Sequence, residues 1–299
     1  MVHKATDDKL VLGIPKGSLQ DSTVDLFKRA GYDIQISSRS YFPGIDDDQI
    51  SPLMFRAQEM SRYVEDGIVD VGLTGYDWIC ENESDVHEVC ELVYSKATAR
   101  PARWILAVPE ESPVQTPEDL DGGVVATELV GVTTRYFRDK GLNVKVEFSW
   151  GATEVKARML DGIVDVTETG SSLKANKLRV IDTLLTSTPR LIANKQAMAI
   201  EWKRRKIENI ALLLRGAIAG KRKVGMKMNV PRSALEAVTR LIMDRLPPEK
   251  SPTLSPLADE AWVALEIIVE ETVERDLIPD LKRAGASGIF TYPLNKVIP

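Results

Sequence analysis

One string of ten residues occurs twice in this chain, and a duplicated supersecondary unit restricts the possible architectures more than any other feature of the sequence. Residues 66–75 read DGIVDVGLTG and residues 161–170 read DGIVDVTETG, with changes only at Gly72/Thr167 and Leu73/Glu168. Each copy follows a helix-like stretch, FRAQEMSRYVE or TEVKARML, which the Asp-Gly pair is expected to stop and turn. Each then enters an apolar strand, 68–71 or 163–166, that carries one aspartate, Asp70 or Asp165, near its carboxyl end and leaves by a Thr-Gly turn. Upstream, KLVLGIPKGSLQDSTVDLFKRAGYDIQIS and GVVATELVGVTTRYFRDKGLNVKVEFS share the order strand, loop, helix, Gly stop, strand. Strands alternating with helices of this length predict two α/β lobes with parallel pairing, and ligands held at the carboxyl ends of the strands. Two such lobes facing each other form a cleft.

The expected division is a discontinuous first lobe at 1–102 and 192–222, a second lobe at 103–191, and a further module at 223–299. The stretch AMAIEWKRRKIENIALLLRGAIA is read as the strand and helix that complete the first lobe. In the module, KVGMKMNV, AWVALEIIVE and GIFTYPL read as strands, PRSALEAVTRLIMDRL and ETVERDLIPDLKRAGA as helices, with Pro279 a point of kinking in the second. The order β-α-β-α-β predicts a small antiparallel α+β sandwich of ferredoxin-like type. It carries no catalytic constellation, which favours a binding or regulatory role.

Composition removes several function classes. The chain has 299 residues, more than one hydrophobic core usually spans, and its 43% apolar and 28% charged residues are those of a globular protein. A net charge of -5, with both signs mixed, leaves no basic field for nucleic acid, so phosphate recognition must be local. No stretch has the ~18 apolar residues of a membrane span, and MVHKATDDKLVLGIP lacks a signal-peptide core, so the expectation is a cytoplasmic protein with no membrane partner. Cys80 and Cys90 lack metal or redox spacing and read as reduced thiols. His3 and His87 are the only histidines, which leaves little material for a histidine triad or a zinc site. Catalysis must rest on carboxylates, lysine, arginine, hydroxyls and backbone dipoles.

The second copy is the chemically richer one. After Asp165, the run Thr167, Glu168, Thr169, Gly170, Ser171, Ser172 supplies hydroxyls, a glycine and the start of a helix. Free N–H groups at a helix start seat a phosphate dianion, and Asp165 is then placed to accept hydrogen bonds from ribose hydroxyls, with Glu154 entering the same pocket. The alternative is that the hydroxyls cap the helix and Asp165 caps a turn. An acidic residue on a strand followed by T-G-x-[ST]-L opening a helix is the layout of a 5-phosphoribosyl 1-pyrophosphate site.

With these residues assembled, the chain resembles the long form of the ATP phosphoribosyltransferases, the first enzymes of histidine biosynthesis. The resemblance runs nearly end to end, through LGIPKGSL, DVGLTGYDW, DVTETGSSLKAN, MNVPRSAL, SPTLSPLADEAWVALE and GIFTYPLNKVIP. It implies a two-lobed catalytic part like type II periplasmic binding proteins, followed by a ferredoxin-like regulatory domain. It also implies that Asp165 and the loop Thr167, Glu168, Thr169, Gly170, Ser171, Ser172 and Leu173 hold phosphoribosyl pyrophosphate, with Glu154 beside it. Lys16 would meet a phosphate from the opposite lobe, and Gly72, Thr74, Gly75 and Asp77, with Glu128 and Leu129, would line the ATP side.

The implied reaction is displacement at the anomeric carbon: N1 of the ATP adenine attacks, pyrophosphate leaves, and N1-(5-phospho-ribosyl)-ATP results. Adenine N1 is unprotonated at neutral pH, so no histidine base is required. Magnesium, bound mainly through substrate phosphates, suits the charge on pyrophosphate and needs few protein ligands. By the same resemblance the C-terminal module binds L-histidine as feedback inhibitor near Thr253 and Gly288, across subunits of a homo-oligomer, dimer or hexamer. A solute-binding protein and a phosphoribosyltransferase for another base are the competing readings of a two-lobed cleft with this loop.

Overall fold

The computed structural model describes residues 8–37, 40–94, 101–245 and 252–298, and His3 lies outside them. The chain divides into two compact units, Met1–Leu214 and Arg215–Pro299. The first unit opens with β1 (Leu10–Lys16), α1 (Gln20–Ala30), the short ribbon β2 (Ile34–Gln35) and β3 (Gly44–Ile45), β4 (Ile50–Arg56), α2 (Ala57–Glu65), β5 (Val71–Gly75), α3 (Tyr76–Asn82) and β6 (His87–Glu91). β1 is buried along nearly its whole length, as an interior parallel strand must be. Gly13 in β1 makes room for Met60, whose Sδ a Cβ there would meet at 2.3 Å.

Lobe II follows with β7 (Ala102–Pro109), β8 (Val124–Thr127), α4 (Val130–Asp139), β9 (Lys145–Phe148), α5 (Thr153–Lys156), β10 (Gly162–Thr167), α6 (Ser171–Ala175) and β11 (Leu178–Ser187). The chain then returns to lobe I through β12 (Pro189–Ala193), antiparallel to β5, before α7 (Lys195–Ala199) and α8 (Glu201–Gly220). The returning strand is therefore PRLIA, and the stretch AMAI expected as a strand closes helix α7 instead, because Asn194 accepts from the amides of Gln196 and Ala197 and starts that helix early.

The two sheets have one topology. Lobe I runs β4-β1-β5-β12-β6 and lobe II β9-β8-β10-β7-β11, each with three parallel strands and an antiparallel fourth. This two-lobed α/β architecture is periplasmic-binding-protein-like, as expected. The duplicated letters, however, are not in equivalent places. In lobe I, Asp70 N donates to Val11 O at 3.0 Å and Asp70 Oδ2 accepts from Val11 N at 2.8 Å. In lobe II the same pair of bonds joins Asp161, not Asp165, to Val124, at 3.1 and 2.8 Å. The strand registers agree: Leu12 lies opposite Val71, and Val125 opposite Gly162.

Structurally, then, Asp70 matches Asp161, and the counterpart of Asp165 is Thr74. The physical cause is helix length. Helix α2 runs to Glu65, and 66–70 are spent turning into the strand through Gly67 at φ 70°. Helix α5 lasts only four residues, and 157–161, a connector as long as 66–70, brings the chain into the strand at Gly162. The expectation of a strand at 68–71 with a Thr-Gly turn after it is corrected accordingly: Thr74 and Gly75 lie within β5.

The second unit holds β13 (Lys223–Pro231), α9 (Leu235–Met243), β14 (Thr253–Pro256), β15 (Trp262–Glu270), α10 (Glu271–Arg283) and β16 (Ser287–Pro293). Its antiparallel sheet runs β14-β15-β13-β16, the order of a ferredoxin-like fold. Val224, Met226, Met228, Val230, Leu265, Ile267, Leu277 and Leu281 fill its core. The unit begins at Arg215 rather than 223 because the last turns of α8 pack with the C-terminal tail, where Val297 N donates to Gly216 O at 2.9 Å. Pro279 lies within α10, as read from the sequence.

Candidate functional site

β10 delivers Asp165 half-buried near its carboxyl end, with Oδ1 accepting from Val166 N at 2.8 Å. Burial pushes its carboxyl up to about 6, the Val166 amide opposes this, and the nearby charges of Glu154 and Glu128 raise it further. The loop after it is held from within. Thr167 is buried and its Oγ1 accepts from Gly170 N at 2.9 Å, while Thr169 Oγ1 donates to Ser171 Oγ at 3.0 Å. Gly170, left-handed at φ 76°, is the N-cap of α6, and no side chain caps that helix. The hydroxyls thus shape the loop rather than cap the helix, and the Ser171 amide at its start donates to Thr169 Oγ1 at 3.4 Å.

Leu173 anchors α6 in the lobe II core, so its side chain and that of Thr167 support the loop from beneath. Glu168 is half-buried. From the other side Glu154 on α5 accepts a hydrogen bond from Ser172 Oγ, joining the two elements expected to share a pocket.

In lobe I, Lys16 closes β1 level with Arg56 at the end of β4, and its ammonium lies 3.9 Å from the centroid of Tyr41. A cleft of about 380 Å³ is lined by Arg56, Gln58, Glu59, Arg62, Trp78 and Asn82 from lobe I, and by Glu128, Phe148 and Trp150 from lobe II. Of the residues expected on the ATP side, Glu128 lines it. The others are drawn elsewhere. Gly72 lies under Met60, where a Cβ would meet Sδ at 2.6 Å, and Thr74 Oγ1 donates to Ala57 O at 2.7 Å. A Cβ on Gly75 would strike Asp77 Oδ1. Asp77 is buried, accepting from Trp104 Nε1 at 2.7 Å, and burial raises its carboxyl despite that bond. Leu129 is core. The side chains of Thr74 and Asp77 are therefore engaged in the scaffold, and Gly72 and Gly75 leave room for it.

The amides of Gly131 and Val132, at the start of α4, are occupied too: Glu81 on α3 accepts from both, at 2.8 and 2.9 Å. A carboxylate from lobe I thus takes the anion seat that a free helix start would offer. In the second unit, Thr253 is exposed at the start of β14, and Gly288, at φ 56°, sits beside Asn229 where the β13–β16 register shifts. Sequence reasoning missed Arg56, Arg62, Trp78, Phe148 and Trp150. Only the last pair left a signal, two aromatics around a serine in the otherwise polar loop FSWGATE.

The duplicated sheets and the cleft between them define a two-lobed α/β protein. A family model described as ATP phosphoribosyltransferase matches residues 56–216, and one described as the HisG C-terminal domain matches 220–296. The chain is 59% identical over 290 residues to the ATP phosphoribosyltransferase of Chlorobium luteolum, covering 97% of each. It is 57% identical over 294 residues to that of Thermodesulfovibrio yellowstonii, covering 98% of this chain and 99% of the relative. Among solved structures, the ATP phosphoribosyl transferase (HisG:HisZ) complex from Thermotoga maritima matches with a TM-score of 0.59 and 26% identity, covering 69% of this chain and 96% of that one. The chain belongs to the ATP phosphoribosyltransferase family, whose members are pentosyltransferases. Among the described residues, no helix is long and apolar enough to cross a membrane.

Proposed function

We propose that the chain condenses ATP with 5-phosphoribosyl 1-pyrophosphate to give N1-(5-phospho-ribosyl)-ATP and pyrophosphate, the first step of L-histidine biosynthesis, in the cytoplasm. The observation that carries this is the unduplicated carboxylate: Asp165 stands where lobe I has Thr74, at the mouth of a loop whose Ser172 is bonded to Glu154. In this reading Asp165 accepts hydrogen bonds from the ribose hydroxyls, and the amides opening α6 receive the 5-phosphate. Lys16 and Arg56, level on adjacent strands of the facing lobe, offset the charge that grows on departing pyrophosphate. With N1 of adenine held against the anomeric carbon, alignment replaces a protein nucleophile.

Among the described residues no cluster of three or more acidic, histidine or cysteine ligands is placed to hold a metal alone. Asp165, raised chiefly by burial and further by the charges of Glu154 and Glu128, offers the hard oxygen that suits magnesium arriving with substrate phosphates. Such an ion, when bound, supplies neutralisation of pyrophosphate charge. The direct test is pyrophosphate release by the folded protein from ATP, phosphoribosyl pyrophosphate and magnesium. Release is expected. None, or faster release with orotate or adenine replacing ATP, overturns the reading.

The same proposal gives the C-terminal module L-histidine as a feedback ligand near Thr253 and Gly288 of a homo-oligomer, a dimer or hexamer. Added histidine should then lower the rate of pyrophosphate release. A rate unchanged at saturating histidine removes the regulatory part and leaves the catalytic part standing.

A further inference from the structure

The segment 148–154 joins two exposed aromatic rings to a left-handed turn of the backbone. Trp150 is 83% exposed and Phe148 59% exposed, far more than most large aromatics in a folded domain, and both line the interlobe cleft. Their rings meet edge to face, with centroids 5.9 Å apart and planes at 88°. The contact steadies the Trp150 indole while leaving most of the ring exposed. The backbone next to it is unusual: Gly151 and Ala152 are both left-handed, at φ 67° and 49°, and a non-glycine residue in that region costs energy that persists where surrounding structure imposes it.

What imposes it is polar and mostly buried. Ser149 and Thr153 bond through their hydroxyls at 2.9 Å, and Lys156 Nζ donates to Ser149 Oγ at 2.8 Å. At the far end of the segment, Glu154 holds Ser172 of the sugar-phosphate loop. One short stretch therefore ties an open indole in the cleft to the loop proposed to hold the ribose phosphate.

In the reaction proposed above, N1 of adenine must touch the anomeric carbon, so the base has to lie beside the sugar loop and within the cleft. An indole face is a general platform for a purine, and stacking accepts the base without spending the N1 lone pair that must attack. We infer that Trp150, steadied by Phe148, stacks on the adenine of ATP and is a specificity-determining residue for the nucleotide substrate. The inference rests on the functional reading above.

Steady-state rates with each substrate varied separately test it. Trp150→Ala should raise the KM for ATP about tenfold or more, the worth of one base stacked on an aromatic ring, and leave the KM for phosphoribosyl pyrophosphate within about twofold. Trp150→Phe should recover most of the loss. The chain has five tryptophans, so the ATP-induced fluorescence change is compared between wild type and Trp150→Phe, and the difference should carry most of the quench. An unchanged KM for ATP in the alanine variant, or equal rises in both KM values, overturns the stacking role. Wild type that turns over normally in either case leaves the functional reading intact, whereas wild type with no turnover fails that reading instead.

Discussion

Lobe I and lobe II share a strand order and part company at the carboxyl ends of their strands. Where lobe I ends β1 in Lys16, lobe II places Leu129 in its core. Where β4 ends in Arg56, lobe II, counted along the matching strand, presents Trp150. Where β5 has Thr74 donating its hydroxyl to Ala57 O, β10 has the carboxylate Asp165. One lip is cationic, the other acidic and aromatic. Duplication supplied two equivalent scaffolds, and the chemistry lies in the positions that stopped matching.

The aspartates make the comparison sharpest. Asp70 and Asp165 are identical in the letters of the repeat yet differ in kind. Asp70 is 5% exposed, bonded to Val11 N and bridged by both oxygens to Lys203 at 2.9 Å, itself 3% exposed. Among the described residues no ion pair joins Asp165 to a cation, and it feels the charges of Glu154 and Glu128. A paired buried carboxylate holds structure together. One kept among like charges is held at a cost, and such costs gather at functional sites.

Breaking Asp70 should have the largest effect on the fold. Asp70→Asn leaves Lys203 buried without its counter-charge and should cost about 3–5 kcal/mol in urea unfolding, with part of the loss recovered in the double variant that adds Lys203→Met. If Asp70→Asn unfolds at the wild-type urea concentration, the scaffold role fails. Asp165→Asn should do the reverse. Its kcat/KM for phosphoribosyl pyrophosphate should fall about 100-fold, the order expected for lost charge-assisted hydrogen bonds, while its melting temperature stays level or rises. A lower melting temperature with normal kinetics would exchange the two assignments.

Acid should act through Asp165 next. With the carboxyl near 6, kcat/KM for phosphoribosyl pyrophosphate should halve around that pH and drop about tenfold per unit below it, an acidic limb missing from the residual activity of Asp165→Asn. The sign for stability is opposite. A carboxyl raised from 3.8 to about 6 binds its proton more tightly when folded, so this group adds stability as pH falls through 6 and loses none of the fold there. An acidic limb that tracks loss of circular dichroism would refute the assignment. The smallest effect belongs to Asp161→Asn, which disturbs one exposed backbone contact at 2.8 Å and should cost no more than about 1 kcal/mol, with activity nearly unchanged.

Much of this was legible in the sequence, and the failures have physical causes. The two α/β lobes and the ferredoxin-like module follow from strand and helix periods, which are local. The four-residue slip does not, because it depends on α2 running nine residues and α5 four, and the identical letters on either side conceal it. The strand β14 was missed because all four of its residues are exposed, which removes the alternation that marks a strand. Asp165, Glu154 and Lys16 were picked out because loop chemistry is local too, and of these Glu154 is bonded to Ser172 of the loop. Arg56 was not, because only strand pairing brings it level with Lys16, and Trp150 left no more than its place in an aromatic pair.

Calorimetric titration of phosphoribosyl pyrophosphate with magnesium into the wild type, Asp165→Asn and Asp161→Asn tests the central claim most directly. Binding weakened about 100-fold by Asp165→Asn alone is the predicted result. Equal affinity for wild type and Asp165→Asn, or a comparable loss at Asp161, would contradict it.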